Sequence, residues 1–178
     1  VNKFQRILGL KIHEKFQDQL KIPTEKRPVV FISHMEHHSN QTSWLETIAE
    51  VRLIPSDGQG LMSTEAFQKL LEDYKDWPIK MAAITSCSNV IGIITPYMDI
   101  AAIIHKAGGY CFVDFACSAL YIDIQMHEDD AQGRYLDAIY FSPHKFLGGP
   151  GSTGILVFNQ ELYTNKIPEN PGGGTVDW

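Results

Sequence analysis

The stretch "KMAAITSCSNVIGIITPYMDIAAIIHKAGGYCFVDFAC", residues 80–117, decides the architecture. Its opening "KMAAITSCS" (80–88) is a short apolar run of the length and β-content of a buried strand. Pro96 then marks a turn, and "YMDIAAIIHKAG" carries apolar residues at helical spacing up to Gly108 and Gly109, which stop it. "YCFVDFAC" (110–117) follows as a second buried strand. A strand, a helix of about a dozen residues and another strand form a right-handed crossover between parallel neighbours.

Outward from this unit the alternation continues. "PVVFISHM" (28–35), "EVRLIP" (50–55), "LDAIYFS" (136–142) and "GILVFN" (154–159) read as further strands. Ser63 followed by "TEAFQKLLEDY" combines a capping serine, an acidic first turn and apolar spacing at Phe67, Leu70, Leu71 and Tyr74, so a helix is expected there. In the first twenty residues Phe4, Ile7, Leu8, Ile12, Phe16 and Leu20 recur in steps that predict one amphipathic helix. The expected fold is α/β: a three-layer α/β/α sandwich around a mostly parallel mixed sheet. In such sheets ligands bind beyond the carboxyl ends of the strands, so those ends carry the candidate chemistry.

The composition narrows the function classes. The chain has 178 residues, 44% of them hydrophobic, enough for one sizeable core. A net charge of −6 argues against a broad nucleic-acid footprint, so anionic ligands must be held by local donors. No stretch reaches the length of an apolar membrane span, and three cysteines without CxxC spacing fit a reducing, cytoplasmic setting. The absence of an initiator methionine, with a helical pattern from Val1 and an end just beyond three glycines, suggests an excised piece of a longer protein.

"GPGSTG" (149–154) formally matches the dinucleotide fingerprint, but its glycines lead into a strand rather than a helix and no ribose-binding acid follows. A P-loop lysine follows its glycines, whereas Lys145 precedes these. What distinguishes the segment is "SPHK" in front of them.

The strand ends collect Glu36, His37 and His38; Ser88 and Asn89; Asp114; and Ser142, His144 and Lys145. Singly each has a structural explanation as a turn former, a satisfied carboxylate or a solvated connection. Together they supply an amine that can form an imine with an aldehyde, an acid to keep a pyridine nitrogen protonated, an imidazole to cover a flat ring and donors for a phosphate. These are the requirements of pyridoxal 5'-phosphate chemistry. A metal site on "HMEHH", using His34, Glu36, His37 and His38, is a competing reading, weakened by the divergence of neighbouring side chains and by the lack of HExxH spacing. A protein that keeps the fold without catalysis is another.

"EHHSN" (36–40), "SNVIG" (88–92), "VDFACS" (113–118), "SPHKFLGGPGSTG" (142–154) and "GGGTV" (172–176) resemble, in order and spacing, the motifs of class V aminotransferase-fold enzymes, the group containing the cysteine desulfurases. The resemblance covers essentially the whole chain. It implies a fold type I, pyridoxal-phosphate-dependent transferase or lyase acting on a small amino acid. Lys145 corresponds to the Schiff-base lysine, Asp114 to the partner of the pyridinium nitrogen, and His37 to the imidazole stacked on the ring. Asn89 matches a residue near the phenolic oxygen, Ser142 and His144 match phosphate-binding positions, and Thr175 matches a residue reaching the neighbouring subunit's phosphate. A cytoplasmic homodimer follows, with no nucleic acid, membrane or metal partner.

The family usually reads Asp-Gly-Ala-Gln where this chain has Asp114, Phe115, Ala116 and Cys117, so Cys117 occupies the place of a cofactor-binding glutamine. Residues 1–159 correspond to the cofactor-binding core of the large domain, its N-terminal part missing. Residues 160–178 correspond to a segment leading toward the dimer interface and an absent small domain. Such a fragment is expected to be weakly active or inactive. Desulfurase, selenocysteine lyase, kynureninase-like hydrolase and transaminase all stay open as activities.

Overall fold

A computed structural model describes residues 1–17, 19 and 21–172. Its strands are β1 (Val29–Ile32), β2 (Glu50–Leu53), β3 (Lys80–Thr85), β4 (Tyr110–Asp114), β5 (His127–Asp129), β6 (Arg134–Tyr135), β7 (Ala138–Phe141) and β8 (Ile155–Phe158). The helices are α1 (Asn2–Ile7), α2 (Glu14–Gln17), α3 (His38–Leu45), α4 (Thr64–Glu72) and α5 (Tyr97–Lys106). The main sheet runs in the order β2-β1-β3-β4-β7-β8. All neighbours are parallel except β8, which pairs antiparallel with β7. The α/β class and the mostly parallel mixed sheet are therefore those expected.

The central strands are buried on both faces, which is why they read as continuous apolar runs rather than alternating ones. Along each strand successive residues feed opposite cores. Val29, Phe31, Ala82, Ile84, Cys111 and Val113 pack with Phe67 and Leu71 of α4 and Ile100 and Ile104 of α5. Val30, Ile32, Met81, Ala83 and Phe112 pack with Phe4 of α1 and Trp44 of α3. Each fully buried large side chain contributes about 2 kcal/mol relative to exposure.

Local chemistry sets the helix ends. Ser63 Oγ accepts the Ala66 amide at 3.1 Å and so caps α4. Gly109 returns the chain after α5 into β4, where a Cβ would stand 2.6 Å from the Lys80 carbonyl oxygen. The end of α5 is also tied down by His105. Its ring stacks on Tyr135 at 3.8 Å, Nδ1 bonds the Gly133 carbonyl at 2.7 Å, and Nε2 bonds Asp137 at 2.8 Å.

Three regions depart from the sequence reading. The single N-terminal helix is two short pieces: Gly9, at φ +70°, leaves the right-handed region and ends the first. Leu10 then turns into the core, and its carbonyl accepts the Ile48 amide at 3.0 Å. Periodicity at Phe4, Ile7 and Leu8 was sound, but its extension through Gly9 was not; Leu20 lies outside the described residues. The second departure is α3, in a stretch to which the sequence reading assigns no element. Its buried residues are Asn40, Ser43 and Trp44, so burial comes through polar contacts that leave no apolar stripe. The small β5–β6 hairpin was also not foreseen.

Candidate functional site

Parallel strands β1, β3, β4 and β7 all point their carboxyl ends to one edge, and the candidate residues leave the sheet there. His37, just after β1, is the N-cap of α3. Its Nδ1 accepts the Ser39 amide at 3.2 Å and lies 2.7 Å from Ser39 Oγ, which puts the proton of the neutral ring on Nε2. Asn89 sits in the turn after β3. Asp114 ends β4, is only 8% exposed, and accepts the Ala116 amide at 2.8 Å through Oδ1.

Beyond β7, Ser142 precedes a single 3-10 turn, Pro143–Lys145. The Lys145 amide closes it onto the Ser142 carbonyl at 3.0 Å, and the Phe146 ring stacks on Phe141 at 6.0 Å. The glycines behind Lys145 now have a physical reason. Gly148 adopts φ +78°, and a Cβ at Gly149 would lie 1.9 Å from the Pro143 carbonyl oxygen. Gly149→Ala is thus expected to force the Pro143–Lys145 turn outward and to destabilise the fold by about 1–3 kcal/mol, the range for overpacking. Thermal unfolding of the variant beside the wild type measures this.

A cavity of about 680 Å³ opens at this edge. His37, Asn89, Asp114, Cys117, Ser142, His144 and Lys145 all line it, so the seven described candidates from four strand ends meet in one space. Thr175 lies outside the described residues. Lys145 is exposed at the rim rather than withdrawn from water. Burial pushes the Asp114 carboxyl above its ordinary range, while the Ala116 amide, Lys145 and His37 pull it back. The cavity thus surrounds one sunken carboxylate with cationic and imidazole groups. An amine, a buried acid, a flat imidazole and the Ser142 and His144 donors form a set whose chemistry fits pyridoxal phosphate.

Beneath the cavity lies a polar network that the motifs did not reveal. Glu36 is 9% exposed and receives the Asn40 side-chain amide at 2.7 Å, the Thr85 amide at 2.9 Å and the Ser33 hydroxyl. Asn40 Oδ1 in turn accepts the Tyr140 hydroxyl at 3.0 Å and Trp44 Nε1–H at 3.2 Å. The carboxylate therefore ties the end of β1 to α3, β3 and, through Asn40, β7. The Glu36–Asn40 spacing of four at a helix start was the signal available in the sequence.

Burial dominates the donors and lifts the Glu36 pKa from 4.5 to about 7. A folded-state pKa above the unfolded one means the folded state holds the extra proton, so stability falls as pH rises from about 4.5 to about 7. Glu36→Gln is expected to remove that slope. Because its amide faces the donor end of Asn40, the variant is also expected to be about 1–3 kcal/mol less stable near pH 5. Denaturant unfolding across pH tests both signs.

The same geometry disperses the metal reading. His34 Nε2 bonds the Gly60 carbonyl at 2.8 Å and must donate there, Glu36 faces inward, and His37 caps α3. Among the described residues no group of three or more histidine, cysteine or acidic side chains could hold a metal ion. No described helix is long and apolar enough to cross a membrane.

The profile described as aminotransferase class-V matches residues 17–178. Over 151 residues the chain is 32% identical to a cysteine desulfurase of Synechococcus elongatus, covering 83% of this chain and 22% of that protein. It is likewise 32% identical to a cysteine desulfurase of Escherichia coli K12, covering 83% of this chain and 34% of that one. The crystal structure of the cysteine desulfurase CsdA from Escherichia coli superposes with a TM-score of 0.59 at 27% identity, over 77% of this chain and 33% of that one. An alanine–glyoxylate aminotransferase from Nostoc sp. shares the fold, with a TM-score of 0.64 at 18% identity over 90% of this chain and 37% of that one. The chain spans about a fifth to a third of the length of the curated relatives it matches.

Proposed function

The chain belongs to the aminotransferase class-V family, and on that basis we propose that it forms the cofactor-binding core of an enzyme that transforms a small amino acid, of the cysteine desulfurase type. Enzymes of this family work with pyridoxal 5'-phosphate. The observation that carries the proposal is the convergence of His37, Asp114, Ser142, His144 and Lys145 on one cavity.

Bound there, the cofactor supplies an aldehyde that takes up an amino group and a protonated ring that draws electrons from the amino acid. Lys145 contributes the amine; at the cavity rim its Nζ can reach solvent, the ligand and the proton to be moved. Asp114, fixed through Oδ1 by the Ala116 amide, holds positive charge at the cavity wall, where low exposure strengthens the attraction. His37, oriented by Ser39, borders the cavity with its imidazole. Ser142 and His144 provide neutral and imidazole donors for an anion in an otherwise acidic chain. Asn89 and Cys117 border the same space and complete the polar lining.

Identity to cysteine desulfurases favours cysteine as the amino acid and loss of its sulfur as the reaction. A homodimer in a reducing cytoplasm, with Thr175 reaching the neighbouring subunit's phosphate, belongs to the same proposal. The test is incubation of the protein containing this chain with pyridoxal phosphate and L-cysteine. Stoichiometric alanine and sulfane sulfur, the latter recovered as sulfide only when dithiothreitol is added as the two-electron reductant, support the reading; a keto acid formed with transfer of the amino group to an acceptor would replace it by transamination.

A further inference from the structure

Two of the three cysteines meet in the wall of the cavity. β3 and β4 run parallel with Thr85 opposite Asp114, and the chains leaving them carry Cys87 and Cys117 two and three positions further on. The side chains converge as well. Cys87 Sγ donates to the Ser88 carbonyl oxygen at 3.6 Å, and Cys117 Sγ points to the same oxygen at 4.0 Å. Each thiol feels the other electrostatically, and both border the 680 Å³ space. Cys111, by contrast, is fully buried at the start of β4 and does not line it.

We propose that Cys87 and Cys117 form a dithiol site that reacts with low-molecular-weight disulfides entering the cavity and closes reversibly to an intramolecular disulfide. Cys117 is the more accessible and reacts first; Cys87, whose thiol is pushed up by burial and by its neighbour, resolves the product. Cys117 gives its proton to solvent, and the thiolate attacks one sulfur of RS–SR. A Cys117–S–S–R bond forms while RS⁻ leaves and takes up a proton. Cys87, deprotonated in turn, attacks Cys117 Sγ, and the second RS⁻ leaves and is protonated. Two protein thiols are oxidised by two electrons, the small disulfide is reduced to two thiols, and nothing else is consumed. The new bond ties the loop after β3 to the loop after β4 and removes both S–H groups from the cavity lining.

The inference does not depend on the proposed reaction. The protein is treated with oxidised glutathione, free thiols are blocked, and peptides are identified by mass spectrometry without reduction. A disulfide joining the Cys87 and Cys117 peptides within one chain, reversed by dithiothreitol, is expected. Cys87→Ser should instead accumulate glutathione on Cys117, and Cys117→Ser should keep Cys87 as a free thiol. Stable glutathione on Cys117 of the wild type without the internal link, or a link through Cys111 or between chains, overturns the proposal.

Discussion

Alanine at Lys145 is expected to abolish turnover while the fold survives intact. Lys145 is exposed, its amine makes no hydrogen bond or ion pair within the described residues, and its backbone turn is held by the Ser142 and Pro143 carbonyls rather than by its side chain. Truncating such a side chain costs within about 0.5 kcal/mol of stability. Removing the amine to which the proposal gives the chemistry, by contrast, should cost several orders of magnitude in kcat, the scale on which catalytic nucleophiles act. Unfolding curves that overlay the wild type, paired with turnover at background, match the account. Retained turnover would move the chemistry to another residue.

Asparagine at Asp114 is expected to lower kcat by about 10²–10³-fold, the magnitude seen when a preorganised electrostatic group is removed. The neutral side chain keeps the Oδ1 acceptor for the Ala116 amide, so the loop after β4 should stay in place. Stability should move the other way. Burial raises the carboxyl above its ordinary range, so the ionised form is disfavoured by folding and stability declines as pH rises above the ordinary carboxylate pKa. Asn carries no charge to desolvate, and the variant should unfold at an equal or higher temperature at neutral pH. A group retained for function at some cost to stability behaves in this manner. Equal loss of stability and activity would instead mark Asp114 as a structural residue.

The strands and α4 and α5 were legible because their physics is local. Buried parallel strands leave apolar runs, and Ser63, Pro96 and Gly108 punctuate the helices between them. The strand ends could likewise be inspected one by one, and their convergence on a single cavity follows from parallel topology. What stayed hidden depends on partners distant in sequence. Trp44 and Asn40 look like an undistinguished polar stretch until Tyr140, a hundred residues on, supplies the hydrogen bond that buries them. The apolar steps after Gly9 suggested a longer helix because periodicity does not register a left-handed glycine that sends Leu10 inward. Glu36 looked like a surface acid or a metal ligand; its amide donor from Thr85 lies 49 positions away. The proximity of Cys87 and Cys117 was equally invisible, since it arises from the register of β3 against β4.

The central claim is that Lys145 carries the cofactor. The most direct measurement is borohydride reduction of the protein containing this chain after loading with pyridoxal phosphate, followed by peptide mass spectrometry. The account predicts a phosphopyridoxyl group on Lys145 and its disappearance in Lys145→Ala; no label, or a label carried instead by another lysine, would contradict it.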